Sequence, residues 1–188
     1  MTPSTTSGAL GALNSRGHRT ALLVYAVVVL GHWAEHLAQA VQIYVLGWPR
    51  PAAGGVLGLV WPWLVTSEWM HYGYALVMMI AFIVLRKGFT GSSRRWWDTA
   101  MWIQVWHHAE HLLLLAQAVT GAYLLGAAVP TSVAQLVFPR VELHLFYNTI
   151  VTIPMIVALV LHARPRAADP VAACGCAAPR RVAVGAAA

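Results

Sequence analysis

Apolar residues fill four stretches of the chain, at about 21–46, 67–85, 96–125 and 141–163, and each is close to the length at which a helix crosses a bilayer. Short polar or proline-rich pieces separate them. The segment 47–66 carries Pro49, Pro51 and Pro62 with Trp48, Trp61 and Trp63, which reads as a loop and a short interfacial helix able to fold over a site. The pattern predicts an all-α, integral membrane four-helix bundle over residues 20–164. A disordered arm, 1–19, precedes it, and a disordered Ala/Pro-rich tail, 165–188, follows it.

The apolar stretches are interrupted in a repeating way. His, Glu and His occur as HxxEH at His32, Glu35 and His36 within GHWAEHLAQ, and again at His107, Glu110 and His111 within WHHAEHLLLLAQ. A HxxY pair follows each copy after nearly the same interval, His71 with Tyr74 and His144 with Tyr147. Two matched motif pairs predict a tandem duplication of a two-helix hairpin, with the halves related by a pseudo-two-fold axis.

Composition agrees with a bilayer setting. Hydrophobic residues make up 59% of the chain and charged residues only 10%, with a mean hydropathy of +0.64, which excludes an ordinary soluble domain. The net charge of +6 comes from basic residues at the ends of the apolar runs, so it does not mark a nucleic-acid-binding face. Arg16, Arg19, Arg86, Lys87, Arg94, Arg95, Arg164 and Arg166 fall on one side of the expected membrane, against Arg50 and Arg140 on the other. The excess of positive charge predicts that both termini are cytoplasmic. Abundant alanine and scarce lysine suit a bacterial inner membrane.

Glu35, Glu68, Glu110 and Glu142 sit inside or at the edge of the apolar stretches, with most of the histidines. Ionisable groups are costly in hydrocarbon unless they pair, bind metal or line a wet cavity. Counting along helices from the basic flanks puts His32, His36, His71, His107 and His111 roughly 18–25 Å from the cytoplasmic side, with His144 somewhat higher. All four helices thus contribute to one layer in the outer half of the bilayer. Glu68 and His71 lie about 60° apart on one face, the ExxH spacing of carboxylate-bridged di-iron bundles.

The predicted ligand set is His32, Glu35, His36, Glu68, His71, His107, Glu110, His111 and His144, nine donors where a mononuclear site needs about four. Gln39, Gln117, Glu142 and Asn148 are candidates for orienting imidazoles, and Glu142 also suits a helix N-terminus. His108, Tyr74 and Tyr147 are candidates for substrate contact or proton relay. His18 and His162, at span ends, read as interfacial.

Mixed imidazole and carboxylate donors point to a polynuclear transition-metal centre, with iron, as a di-iron site, first and copper or zinc next. The corresponding function is an oxidoreductase acting on a lipophilic substrate or a quinone, with a separate redox partner. A haem-binding cytochrome, with axial histidines from facing helices, is the alternative. HxxEH is also the zinc motif of inverzincin peptidases, so an intramembrane hydrolase is a third reading. A metal carrier or sensor is the fourth, to which the tail's Cys174 and Cys176, separated by one glycine, give support.

Overall fold

The structure is a computed structural model that describes residues 8–170 together with 172, 174 and 176. Its described elements are helical: α1 (Ala9–Leu13), α2 (His18–Tyr44), α3 (Leu57–Val60), α4 (Trp63–Thr66), α5 (Glu68–Leu85), α6 (Gly91–Thr120) and α7 (Arg140–Ala163), with short 3₁₀ turns between some of them. Three pieces, His18–Tyr44, Glu68–Gly88 and Arg140–Ala163, are long and apolar enough to cross a membrane. Helix α6 is longer, but its opening turns carry Arg94, Arg95 and Asp98 and its later ones carry histidine and glutamate, which dilutes its apolar character.

Local sequence sets the helix ends. Thr90 and Ser93 form a reciprocal capping box at the start of α6, and Gly121, at φ 70°, ends it in the left-handed conformation that glycine adopts without strain. Pro139 opens α7, and Pro165 lies just beyond its last turn. Within α7, Pro154 removes one backbone donor, so the carbonyl of Ile150 loses its usual helical partner.

The long helices touch in a closed order: α2 meets α5 and α7, and α6 meets the same two. Toward the end that holds His18, their inner faces form an apolar core. Tyr25, Phe82, Phe89, Trp97 and Met155 are packed there, with Phe82 and Trp97 fully buried. Trp97 donates its indole N–H to the Phe82 carbonyl at 2.9 Å, so its polar atom is satisfied inside the core. Arg86 grips Asp98 with two bonds of 2.6 and 2.7 Å, joining the end of α5 to α6. Outward faces are apolar, including Leu23, Val27, Ile80, Ile83, Trp102 and Ile153.

Both expected disordered ends have structured parts. Helix α1 precedes Asn14, which donates to the Val84 carbonyl at 2.8 Å and accepts from the Gly88 N–H at 2.8 Å. The arm is therefore fixed to the end of α5. In the tail, Asp169 accepts from the Ser92 N–H at 2.8 Å, and Thr90 donates to the Pro170 carbonyl at 3.1 Å. Residues 1–7 and 177–188 lie outside the described residues.

Candidate metal centre

Helices α2, α5, α6 and α7 bring six histidines together beyond the apolar core. His144 on α7 is central. Its ring centroid lies 4.8 Å from that of His36, 5.9 Å from His71, 5.5 Å from His107 and 5.2 Å from His111. Within each HxxEH turn the two histidines face one another, with Nε2 atoms 3.1 Å apart for His32 and His36 and 3.2 Å apart for His107 and His111. His107, His111 and His144 offer ligand atoms within 4.8 Å of one another, a group that could hold a metal ion.

Backbone and side-chain acceptors fix which nitrogen points inward. His71 Nδ1 faces the Ser67 carbonyl at 2.9 Å, and His144 Nδ1 faces the Arg140 carbonyl at 2.8 Å. A carbonyl only accepts, so in each ring Nδ1 carries the hydrogen and neutral Nε2 keeps its lone pair. Gln39 Oε1, 2.7 Å from His36 Nδ1, sets the same tautomer there. This is how outer hydrogen bonds prepare imidazole for metal ligation. His144 Nε2, buried and with no hydrogen-bond partner, faces into the cluster. His107 Nδ1 and His111 Nδ1 are likewise buried without partners.

The carboxylates have other partners. Glu35 accepts from the Val56 and Leu57 N–H groups at 2.7 and 3.0 Å, and Glu110 accepts from the Ala134 N–H at 3.1 Å. Glu68 forms two 2.6 Å bonds with the Arg140 guanidinium. Glu142 bonds the Tyr44 hydroxyl and Arg50 at the outer rim. These partners come from other elements and from connecting segments, which helical spacing does not reveal.

The remaining predicted residues divide between the cluster and its surroundings. Gln39 orients His36, whereas Gln117 accepts from the Leu124 and Thr131 N–H groups at 2.8 and 3.2 Å and thus holds a loop. Tyr74 stacks on His32 at 3.8 Å, and Tyr147 lies 4.4 Å from His107 and accepts from the Trp106 indole at 2.6 Å. His108 sits against Tyr72 at 5.2 Å, outside the six-ring group. Asn148, whose amide nitrogen has no partner, borders a small space shared with Tyr74, Gln104 and His107.

Three features escaped the sequence reading. Arg140 is the partner of Glu68, and Gln42 clamps Gly55 through bonds of 3.0 and 2.8 Å as Gln117 clamps its own loop. His18 and His162, expected at the interface, are 0% and 4% exposed; packing against Phe89 and against each other removes them from solvent. A signal for Gln42 did exist: it follows the first HxxEH by the same offset as Gln117 follows the second.

A cavity of about 350 Å³ adjoins the cluster, lined by His32, His36, His71 and Tyr74 on one side and by Leu57, Leu64 and Val65 of the folded-over segment on the other. Its walls are mostly apolar, so it suits a small lipophilic molecule held beside the imidazoles. No protein-family model matches the chain, and no curated protein or solved structure matches it either.

Proposed function

We propose that this chain is an integral membrane oxidoreductase. In this reading His32, His36, His71, His107, His111 and His144 hold two transition-metal ions, and the adjoining cavity admits a lipophilic substrate or quinol. The observation that carries the reading is the orientation of the imidazoles: hydrogen bonds occupy Nδ1 of His36, His71 and His144, which leaves Nε2 as the ligand atom of each ring, and Nε2 of His144 is buried without a partner. Lone pairs repel unless a proton or a cation lies between them. The Nε2 separations of 3.1 and 3.2 Å, at which one imidazole N–H bonds to the other ring, also approach the spacing of about 3.3 Å between two imidazole nitrogens on one tetrahedral ion.

Because Glu35, Glu68 and Glu110 bond to protein groups, the donor set in this reading is imidazole alone. Copper then stands beside iron as the favoured ion. The same contacts weaken the hydrolase reading, since the HxxEH glutamates are committed to loop N–H groups instead of lying free as a general base.

Matched contacts in the two halves support a duplicated hairpin. Each HxxEH turn pairs its histidines, each central glutamate accepts from an outer loop, and each following glutamine clamps that loop. We take α6 as a fourth crossing, consistent with its exposed Trp102, Trp106, Leu112 and Val119, and place both termini in the cytoplasm.

Elemental mass spectrometry and a visible spectrum on one detergent-purified sample test the proposal. About two iron or copper ions per chain without a Soret band are expected, together with quinol oxidation that is lost on metal removal. An intense Soret band would move the reading to haem, and absence of metal would return the histidines to structural packing.

A further inference from the structure

At the opposite end of α2 and α7 from the six histidines, four residues of another kind converge. His18 opens α2, His162 lies in the last turn of α7, and Cys174 and Cys176 come from the tail. His162 Nε2 is 3.0 Å from Cys174 Sγ and 2.9 Å from Cys176 Sγ, and His18 Nδ1 is 3.5 Å from Cys176 Sγ. All four ligand atoms lie within 4.8 Å of one another. The two sulfurs are joined as a disulfide.

We propose that His18, His162, Cys174 and Cys176 form a second metal site, a Cys₂His₂ centre for a zinc-type divalent ion, filled when the two cysteines are reduced. Two thiolates and two neutral imidazoles are the donor set of closed tetrahedral zinc sites. The surroundings are arranged to match. His18 Nε2 faces the Leu85 carbonyl at 3.1 Å and so carries the hydrogen, which leaves Nδ1 as the lone-pair atom directed at Cys176. Phe89 packs against both imidazoles, at 5.2 Å from His18 and 4.7 Å from His162, and shields them from water. Gly88 lies so close to His18 that any Cβ there would overlap its ring.

The tail does not reach this place by chance alone: the Asp169 bond to Ser92 and the Thr90 bond to Pro170 hold it across the start of α6 a few residues earlier. A dithiol reductant supplies two electrons and two protons, is itself oxidised to a disulfide, and opens the Cys174–Cys176 disulfide to two thiols. Each thiol then gives up its proton to solvent as it binds the ion. Sulfur and nitrogen ligands would settle roughly 3.5–3.8 Å apart around zinc, so once the S–S bond is opened the two sulfurs must separate by less than about 2 Å to take up ligand spacing. The site is independent of the imidazole centre: it lies roughly 20–27 Å away along α2 and α7 and uses none of its residues.

Cobalt(II) titration of the reduced, full-length protein in detergent tests the inference, because only thiolate ligation gives intense near-ultraviolet sulfur-to-cobalt charge transfer. About one cobalt per chain with that band, and tetrahedral visible bands, is expected. The band should vanish in Cys174→Ser/Cys176→Ser and weaken at least about tenfold in cobalt affinity in His162→Ala. It should persist in His36→Ala/His111→Ala, which removes ligands of the other centre and separates the two readings. No charge-transfer band in the wild-type protein, or its survival in the double serine variant, would overturn the proposal. The serine substitutions lie in the tail, and an unchanged far-ultraviolet helix signal would verify that the fold is intact.

Discussion

His144 makes ring contacts with histidines from three other helices, so its loss should be felt across the whole histidine layer. In His144→Ala the metal content should fall by at least one ion per chain by elemental analysis, while Tyr74→Phe, which keeps the ring stacked on His32 and loses only a 3.5 Å bond to the Val28 carbonyl, should retain it. Glu68 and Arg140 offer a different test. Glu68 is 9% exposed, and removing it leaves a partly buried guanidinium without its carboxylate. Glu68→Gln should cost about 2 kcal/mol, reduced from the fully buried case because the arginine side chain is 33% exposed. Thermal unfolding in detergent should show the Glu68→Gln/Arg140→Gln double variant less destabilised than the sum of the singles. The histidines in this layer were legible in the sequence because HxxEH and HxxY repeat at helical spacing. The commitments of their neighbouring carboxylates were not, since Val56, Ala134 and Arg140 approach from other elements.

Among the elements, the loops at Gly55 and at residues 124–131 are held by two glutamines that share one offset from their HxxEH motifs, though what they bind shows only in the fold. Gln42 makes two bonds with Gly55, and Gln117 binds Leu124 and Thr131. Gln117→Ala should raise amide hydrogen exchange across residues 122–131 without raising it in the middle of α6, because the helix keeps its own ladder. The junction of tail and α6 should respond to pH. The Ser92 backbone N–H, the largest influence, holds the Asp169 carboxyl below its usual range. A lowered folded value means that docking contributes stability above the ordinary carboxylate pKa and loses it as pH falls through the lowered value. In metal-free protein, an acid-active protease should therefore cut after α7 faster at about pH 2–3 than at about pH 5. Asp169→Asn should already be cut faster at the higher pH. Helix positions were readable from apolar run length, but their ends were not: α6 begins at Gly91, ahead of the charged Arg94 and Arg95, because the Thr90–Ser93 box starts it there.

The whole molecule presents apolar side chains outward around a polar layer and an aromatic core, the reverse of what water favours. Removal from detergent should precipitate it, as monitored by light scattering, and reporters fused to either end should both register as cytoplasmic in intact cells. That general inversion was evident from composition. The convergence of His18, His162, Cys174 and Cys176 was not, because chain ends have no periodicity and the four residues are gathered only by the way α2, α7 and the tail meet.

One consequence belongs to Pro154, which interrupts the hydrogen-bond ladder of α7 between His144 and His162. A continuous ladder would make α7 a stiff rod, so a pull on one histidine would turn the other. With one rung missing, the rod becomes two segments joined by a softer coupling, and strain from filling either end can be absorbed at the joint. If both proposed centres fill, the occupancy of each should then be set independently of the other.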